Sequence, residues 1–472
     1  MTKMRTHLLA LALVLAVAPA VAKDTSALAR PKELPAYAPD KPLPVPAIEK
    51  ATLPNGLQVW VLPRDGVPRV DYVLAIRDAG YGADPADKPG FASTLAYMLN
   101  EGTARRDSRQ IAELAQGMGG NVAGSVSLDG MSVVANALAS QAGPMMHLLA
   151  DVARNAAFPE KEVALAKANQ LQSLKASEAQ PGFRAERALV KAIHGDHPYA
   201  RTHQTEASIN AVSAAELRAE HARRFRPDRA LLVVTGRIGK DEAMALAREA
   251  FGDWKASGVP VAPVAAARSS AAPARVRLQR DGSVQSTVRL GRPGIPATSP
   301  DYVPAQLANT VLGGGFSSRL MQNLREDKGY TYGASSSLAA YRGGGRLGAG
   351  ADVRNEVTGA SIGEFRAELS RIGTQPVPAR ELEDTKRYVA GGYLLSNQMQ
   401  AAVAGALASN WLVGLPPEFL GEYVPKIRAV SAQQVQAMGA KYFDPKDWSI
   451  VVVGDGKVID DQLKPFGAFK AD

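Results

Sequence analysis

Apolar and polar residues alternate along two stretches early in the chain. In LPNGLQVWVLP, residues 53–63, Asn55-Gly56 stands just before an alternating run, and in RVDYVLAIRDAG, residues 69–80, Val70, Tyr72, Leu74 and Ile76 fall on one side of a period-two strand. GFASTLAYMLNEGT, residues 90–103, reads as a buried helix that runs into an acidic, glycine-broken turn. Helical spacing returns at residues 108–117, where Ile111, Leu114 and Ala115 share a face. GGNVAGSVSLDGMSVVANAL, residues 119–138, then reads as two strands joined at Asp129-Gly130, a tight-hairpin dipeptide.

The pattern recurs in the second half. A shift of 218 residues lays AVSAAELRAEHARRFRPDRALLVVTG (211–236) on AVSAQQVQAMGAKYFDPKDWSIVVVG (429–454) without a gap, matching Ser213 to Ser431, Phe225 to Phe443, Pro227 to Pro445 and Gly236 to Gly454. Each copy reads as a helix N-capped by its serine, a proline turn and a buried strand ending in glycine. The match marks an internal duplication. Residues 256–275, ASGVPVAPVAAARSSAAPAR, show neither period and read as an Ala/Pro-rich linker. Strands at the ends of each half with helices between them predict an α+β fold: two homologous αβ-sandwich, or roll, domains over residues 45–255 and 276–470.

Composition narrows the chemistry. The chain has no cysteine, which excludes disulfides, thiolate metal ligands and a cysteine nucleophile. Residues 1–22 carry Lys3 and Arg5, an uncharged run from Leu8 to Val21 and the small-x-small ending Ala20-Val21-Ala22, the pattern of a signal peptide. The mature chain is expected to be periplasmic or secreted. A formal charge of +9, two units of which belong to that leader, comes without basic blocks or aromatic-basic interleaving and gives no support to nucleic-acid binding. Residues 388–417 carry no charge, yet Gly391, Gly392, Ser396, Asn397, Gln398 and Gln400 punctuate them, so buried helices are expected rather than a stable membrane span.

The segments LPNGLQVWVL, GFASTLAYMLNEGT, HPYA, RPDRALLVVTG and LGGGFSSRLMQNLREDKGYTYGASSS together resemble the pitrilysin/insulinase family of zinc peptidases, in its bacterial, processing-peptidase-like branch. The resemblance spans nearly all of the mature chain. It implies a helix bearing H-x-x-E-H before an M-L-x-x-G-T ending. That ending is present from Met98 to Thr103, but the histidine positions hold Ser93 and Tyr97 and the glutamate position holds Ala96. Imidazoles at i and i+4 share a helix face and bind one Zn²⁺, while the carboxylate takes a proton from the metal-bound water. A hydroxyl, a phenol and a methyl do neither. The family's third ligand, a glutamate on a later helix, falls near Gln170, Gln172 or Ser173, in a stretch without acids between Glu162 and Glu178. No zinc is therefore expected on this chain. HGDHPYARTH gathers His194, Asp196, His197 and His203, a different set of metal-type ligands whose spacing fits no helical zinc motif.

In the second half, LREDKGYTYG resembles the family segment that sends an arginine to a substrate carbonyl and a tyrosine to the oxyanion, here Arg325 and Tyr332. Gly313-Gly314-Gly315 precedes no G-K-[ST], which excludes a phosphate loop. The resemblance implies a non-catalytic subunit that pairs with an H-x-x-E-H-bearing, zinc-binding partner, the two closing on an unfolded peptide that adds as a strand near residues 119–127. Two alternatives stay open in the sequence: a peptide-binding or assembly protein without a catalytic role, and an autonomous peptidase built on the histidine group.

Overall fold

Asn55 fixes the first turn, its side-chain amide donating to the carbonyls of Phe251 and Trp254 at 2.7 and 3.0 Å. Gly56 follows at φ +93°, a left-handed conformation that favours glycine. Around this turn β1 (Glu49–Thr52) and β2 (Gln58–Pro63) pair as a hairpin. The computed structural model describes residues 47–268 and 272–471; the leader read from the sequence lies outside them.

With β3 (Arg69–Arg77), β4 (Asn121–Val126), β5 (Gly130–Leu138) and β6 (Ala230–Gly236), the hairpin forms a six-stranded mixed sheet in the order β1-β2-β6-β3-β5-β4. The period-two reading of β3 holds: Val70, Tyr72, Leu74 and Ile76 enter the main core, and Val73 and Ala75 face the other side of the sheet. The second sheet consists of β7 (Arg275–Gln279), β8 (Gln285–Gly294), β9 (Ala334–Ala340), β10 (Gly345–Arg354), β11 (Ser449–Gly454) and β12 (Lys470–Ala471), in the order β12-β7-β11-β8-β10-β9. It repeats five strands of the first sheet in the same arrangement; the outermost differs, since β1 precedes β2 and pairs with it antiparallel, whereas β12 follows the whole second half and pairs with β7 parallel. The parallel pair β2–β6 recurs as β7–β11, and β4 and β9 are the matching free edges.

Helices follow the same duplication. The first half carries α1 (Phe91–Met98), α2 (Ser108–Gly117), α3 (Ala142–Arg154), α4 (Glu160–Glu178), α5 (Pro181–His194), α6 (Glu206–Asn210), α7 (Ala214–Arg224) and α8 (Lys240–Phe251). The second carries, in the same order, α9 (Tyr302–Gly313), a π-helical turn (Met321–Asp327) in the place of α2, α10 (Thr358–Thr374), α11 (Ala379–Ser396), α12 (Gln400–Leu412), α13 (Phe419–Ala429), α14 (Ala432–Tyr442) and α15 (Gly456–Leu463). The repeated serines cap α7 and α14 as read, accepting from Glu216 and Gln434 backbone N–H groups at 3.2 Å. The fold is α+β, two homologous layered halves.

Each sheet has two apolar faces, and each half covers only one of its own. The exposed side of the first sheet, with Trp60, Leu62, Val73, Leu231 and Val233, is closed by Val403, Leu407, Trp411 and Leu412 of α12. The second sheet's Leu278, Val451 and Val453 are closed in return by Ala185, Leu189 and Ile193 of α5. The halves thus exchange helices. This explains the uncharged run at 388–417: its α12 segment is buried against a sheet that follows it nowhere in sequence, and among the described residues no helix is long and apolar enough to cross a membrane. Arg77 locks α12 down, with its guanidinium 3.7 Å from the Trp411 ring centre and its Nε donating to the Trp411 carbonyl at 3.1 Å.

Polar ties reinforce the seam. Asp78 accepts from Arg342 and Arg229, both at 3.0 Å. Asp129 accepts from the Tyr199 hydroxyl at 2.6 Å and the Arg342 backbone at 2.8 Å, so the hairpin aspartate also joins the halves. The linker is packed into this seam: Val261 is buried, the Ala265 carbonyl meets His197 Nε2 at 3.0 Å, and Ala267 donates to the Gly343 carbonyl at 2.6 Å. Because Trp411 is 5% exposed against the other half's sheet, Trp411→Ala should cost about 3–5 kcal/mol. Calorimetry should show both halves melting in one transition at a lower temperature; a second-half transition that shifts alone would contradict the exchange.

Candidate functional site

The helix that carries the family's metal motif is anchored by a buried charge pair. Asp84 receives the Ala92 backbone N–H at the start of α1 through both carboxylate oxygens, at 3.1 Å each. A carboxylate there also answers the positive end of the helix. Arg224 of α7 reaches Asp84 at 3.0 Å, both side chains being fully buried, and donates to the carbonyls of Ala79 and Ala83. Burial pushes the Asp84 carboxyl up to about 6 against the pull of Arg224, which leaves it ionised at neutral pH. Gly90 precedes the helix at φ +76°, where a Cβ would fall 2.4 Å from Gln204. On the strand side, Gly124 of β4 lets that edge approach: a Cβ there would lie 2.5 Å from the Ala96 carbonyl oxygen.

Within this frame the former ligand positions lie as their spacing requires and hold none of the chemistry. Ser93 and Tyr97 sit one turn apart on the outer face, Ser93 partly buried and Tyr97 48% exposed, while Ala96 is buried. Ser93 Oγ shares a 2.8 Å hydrogen bond with the Tyr81 hydroxyl. Loss of hydration, and then the charge of Glu101, raises the Tyr97 phenol, with a hydrogen bond from Asn169 opposing. On α4, Gln170 is the candidate third position that meets α1: its Oε1 accepts from Thr94 Oγ1 at 2.9 Å and from Gln204 Nε2 at 3.2 Å. Gln172 and Ser173 are exposed.

These groups do not fit zinc. Hydroxyl, phenol and amide replace two imidazoles and a carboxylate, and the acids that act on Tyr97, Glu101 and Glu162, bring no imidazole with them. Sequence reading missed Tyr81, Asn169 and Gln204, the partners that fill the vacated positions. Only Tyr81 carried a local signal, as the bulky residue in the glycine-flanked Gly80-Tyr81-Gly82.

The histidine group does not converge either. His197 is spent on structure, with Nδ1 accepting from the Tyr199 backbone and Nε2 meeting Ala265. His203 is paired with Thr202 and stacks edge-on against Phe183, and Asp196 turns outward to Lys191. His194 lies 6.3 Å from His197, ring centre to ring centre, and burial depresses it to about 4. Among the described residues no three His, Asp or Glu side chains are placed to hold a metal ion.

In the second half, Arg325 lies in the π-helical turn with its guanidinium 4.7 Å over the exposed ring of Phe316. The preceding glycine-rich segment is pinned by Arg319, which makes a bidentate pair with Glu381 of α11 at 2.8 and 2.9 Å. Tyr332 stands 91% exposed just before β9, on a loop whose Thr331 hydroxyl donates to the Asp352 carbonyl at 2.8 Å. Among the described residues no hydrogen bond or ring contact joins Tyr332 to Arg325, and Tyr332 alone is placed directly before β9, an edge strand of its sheet.

Comparison with known proteins follows this division. The family described as insulinase, peptidase family M16, matches residues 64–205, and the peptidase M16 inactive domain matches residues 211–389. The word inactive belongs to the second match, whereas Ser93, Ala96 and Tyr97 lie in the first. An uncharacterized zinc protease of Bacillus subtilis, YmxG, is 26% identical over 86% of this chain and 98% of its own length. One from Mycobacterium leprae is 29% identical over 63% of this chain and 67% of its own. The crystal structure of a peptidase M16 inactive domain from Pseudomonas fluorescens superposes with a TM-score of 0.81 at 25% identity, covering 86% of this chain and 98% of that one. A Helicobacter pylori protease shares the fold, with a TM-score of 0.79 at 18% identity over 87% of this chain and 99% of its own. Both halves, in order and with their strand topology intact, place the chain in the insulinase family, peptidase family M16, as a zinc-protease homologue that lacks the catalytic positions.

Proposed function

We propose that the chain is an exported, non-catalytic subunit that completes the active site of a zinc-bearing family partner and helps to hold an unfolded peptide. The observation that carries this reading is the contrast between frame and chemistry. The buried Asp84–Arg224 anchor and the close-lying free edge of β4 keep the geometry of a peptide-cleaving half, while the metal face holds Ser93, Ala96 and Tyr97. The exposed Tyr332 hydroxyl is free to reach a bound substrate.

In this reading the partner supplies the zinc, bound by its own H-x-x-E-H helix, and this chain supplies a wall, the Arg325 grip on a substrate carbonyl and the Tyr332 donor to the oxyanion. Residues 45–255 and 276–470 act as the two domains of that wall. The peptide adds along β4, whose outer backbone groups have no strand beside them among the described residues. Removal of residues 1–22 places the pair outside the cytoplasm.

Elemental analysis of the isolated mature chain should find no stoichiometric zinc. The triple variant Ser93→His, Ala96→Glu, Tyr97→His should still cleave peptides poorly, because α4 offers Asn169 and Gln170 amides where a carboxylate is needed. Robust zinc-dependent cleavage by that variant would refute this account of α4.

With a catalytic partner present, Tyr332→Phe should lower kcat about a hundred- to thousand-fold, since it deletes one donor aimed at charge formed in the transition state. Arg325→Ala should also raise KM, because a grip on a ground-state carbonyl acts before and during reaction. Wild-type turnover by both variants in a demonstrably assembled complex would favour a peptide-binding protein without a catalytic role.

A further inference from the structure

A recess of about 380 Å³ opens at the seam beside Ser127 and Leu128, the residues that follow β4. Both halves build it. Glu186, Val190 and His194, spaced four apart on one face of α5, form one wall, and Tyr341, just after β9, with Arg346 of β10 forms another. The lining is rich in rings. Tyr199 packs edge-on against His194 at 6.0 Å and against Tyr341 at 5.3 Å, centre to centre, and Tyr81 reaches from the recess to Ser93 of α1 at 2.8 Å. A cleft at a domain seam with aromatic walls and few polar groups has the usual form of a binding site.

The recess carries no net charge. Its one acid and one base are paired, Arg346 with Glu186, and Arg346 also acts on the Tyr341 phenol. Burial lowers both His194 and His203, so the two imidazoles are neutral at neutral pH. Most polar groups of the lining are already engaged. The Tyr199 hydroxyl donates to Asp129 at 2.6 Å and accepts from the Gly343 backbone at 2.9 Å, Ser127 Oγ donates to the Gly130 carbonyl at 3.0 Å, and His203 Nδ1 is paired with Thr202 at 2.9 Å. His194 differs. It is half-buried and makes ring contacts, and neither of its nitrogens has a hydrogen-bond partner among the described residues. A neutral imidazole has one nitrogen that accepts and one that donates.

We propose that this recess binds an uncharged aromatic ring bearing one hydrogen-bond donor, a tyrosine or tryptophan side chain, with the ring against Tyr81 and Tyr341 and its O–H or N–H donated to His194. Phenol and indole share this chemistry and differ in size. Ring pairs of this kind are worth about 0.5–1.5 kcal/mol beyond the area they bury. Because Ser127 continues directly from β4, a peptide along that edge sets such a side chain into the recess. That setting rests on the peptide path proposed above; the affinity for the ring needs neither partner nor metal.

Isothermal titration calorimetry on the full mature chain decides it, with the N-acetyl amides of tyrosine, tryptophan, phenylalanine and leucine as probes. Saturable binding of the tyrosine or tryptophan amide is expected, and the tighter of the two identifies the ring. The phenylalanine amide, which lacks the donor, should bind about tenfold more weakly, and the leucine amide, which lacks the ring, more weakly still. His194→Phe keeps a ring in the wall and removes the nitrogens, so it should bring the tyrosine and tryptophan amides down to the affinity of the phenylalanine amide. Ser127→Trp at the exposed mouth is the second variant, expected to abolish binding of every probe, with the melting temperature as the check on folding. Equal affinity for all four amides, no saturable binding at millimolar concentration, or wild-type affinity in either folded variant overturns the proposal. Each of these outcomes leaves the subunit reading standing, since no zinc-bearing partner enters the measurement.

Discussion

Everything else in this molecule rests on the exchange of α5 and α12 between the halves. A sheet with two apolar faces must bury both, and a single helical layer covers one. Here the missing layer comes from the other half, so Trp411 completes the first sheet and Ile193 the second. The seam is therefore core, with the Asp78 and Asp129 ties and the packed linker at its margin.

The α1 region shows which parts of a catalytic half are structural. Arg224, Asp84, Gly90 and Gly124 determine where the helix starts, how it is oriented and how near the edge strand comes, and all four are in place. The ligand positions carry no packing burden: Ser93 and Tyr97 lie on the outer face, where a hydroxyl pairs with Tyr81 and a phenol points toward Asn169. The helix keeps its place without the motif's imidazoles, because its position is set by Asp84, Arg224 and the two glycines. The reverse holds for Ala96, whose burial beside β4 leaves little room for a longer side chain without adjustment of that edge.

Much of this was legible in the sequence, and the reason is that local signals and global fold agree. The period-two run in β3, the serine caps of α7 and α14 and the duplicated segment each report a short-range preference that the tertiary structure honours. Serine, alanine and tyrosine at three motif positions were equally plain. What stayed hidden is non-local. The uncharged run at 388–417 disclosed that α12 would be buried but not that its host is a sheet more than 150 residues earlier. The spacing of Asp129 marked a hairpin, and its second task at the seam depends on Tyr199 and Arg342, which no local pattern links to it. The third ligand position stayed ambiguous among three residues because a helix of even polarity, such as α4, does not announce which side faces its neighbour.

The matching strand orders of the two sheets bear on ancestry. A single repeat would have exposed one apolar sheet face, and the helix able to cover it was made by the same chain but shaped to reach a neighbour. A half-length repeat of this kind would bury both faces of its sheet only as a twofold pair in which each copy lent its helix to the other. Joined through the linker as one polypeptide, the two halves are free of that symmetry. Either half can then change at its own site, as at Ser93, Ala96 and Tyr97, without the other following.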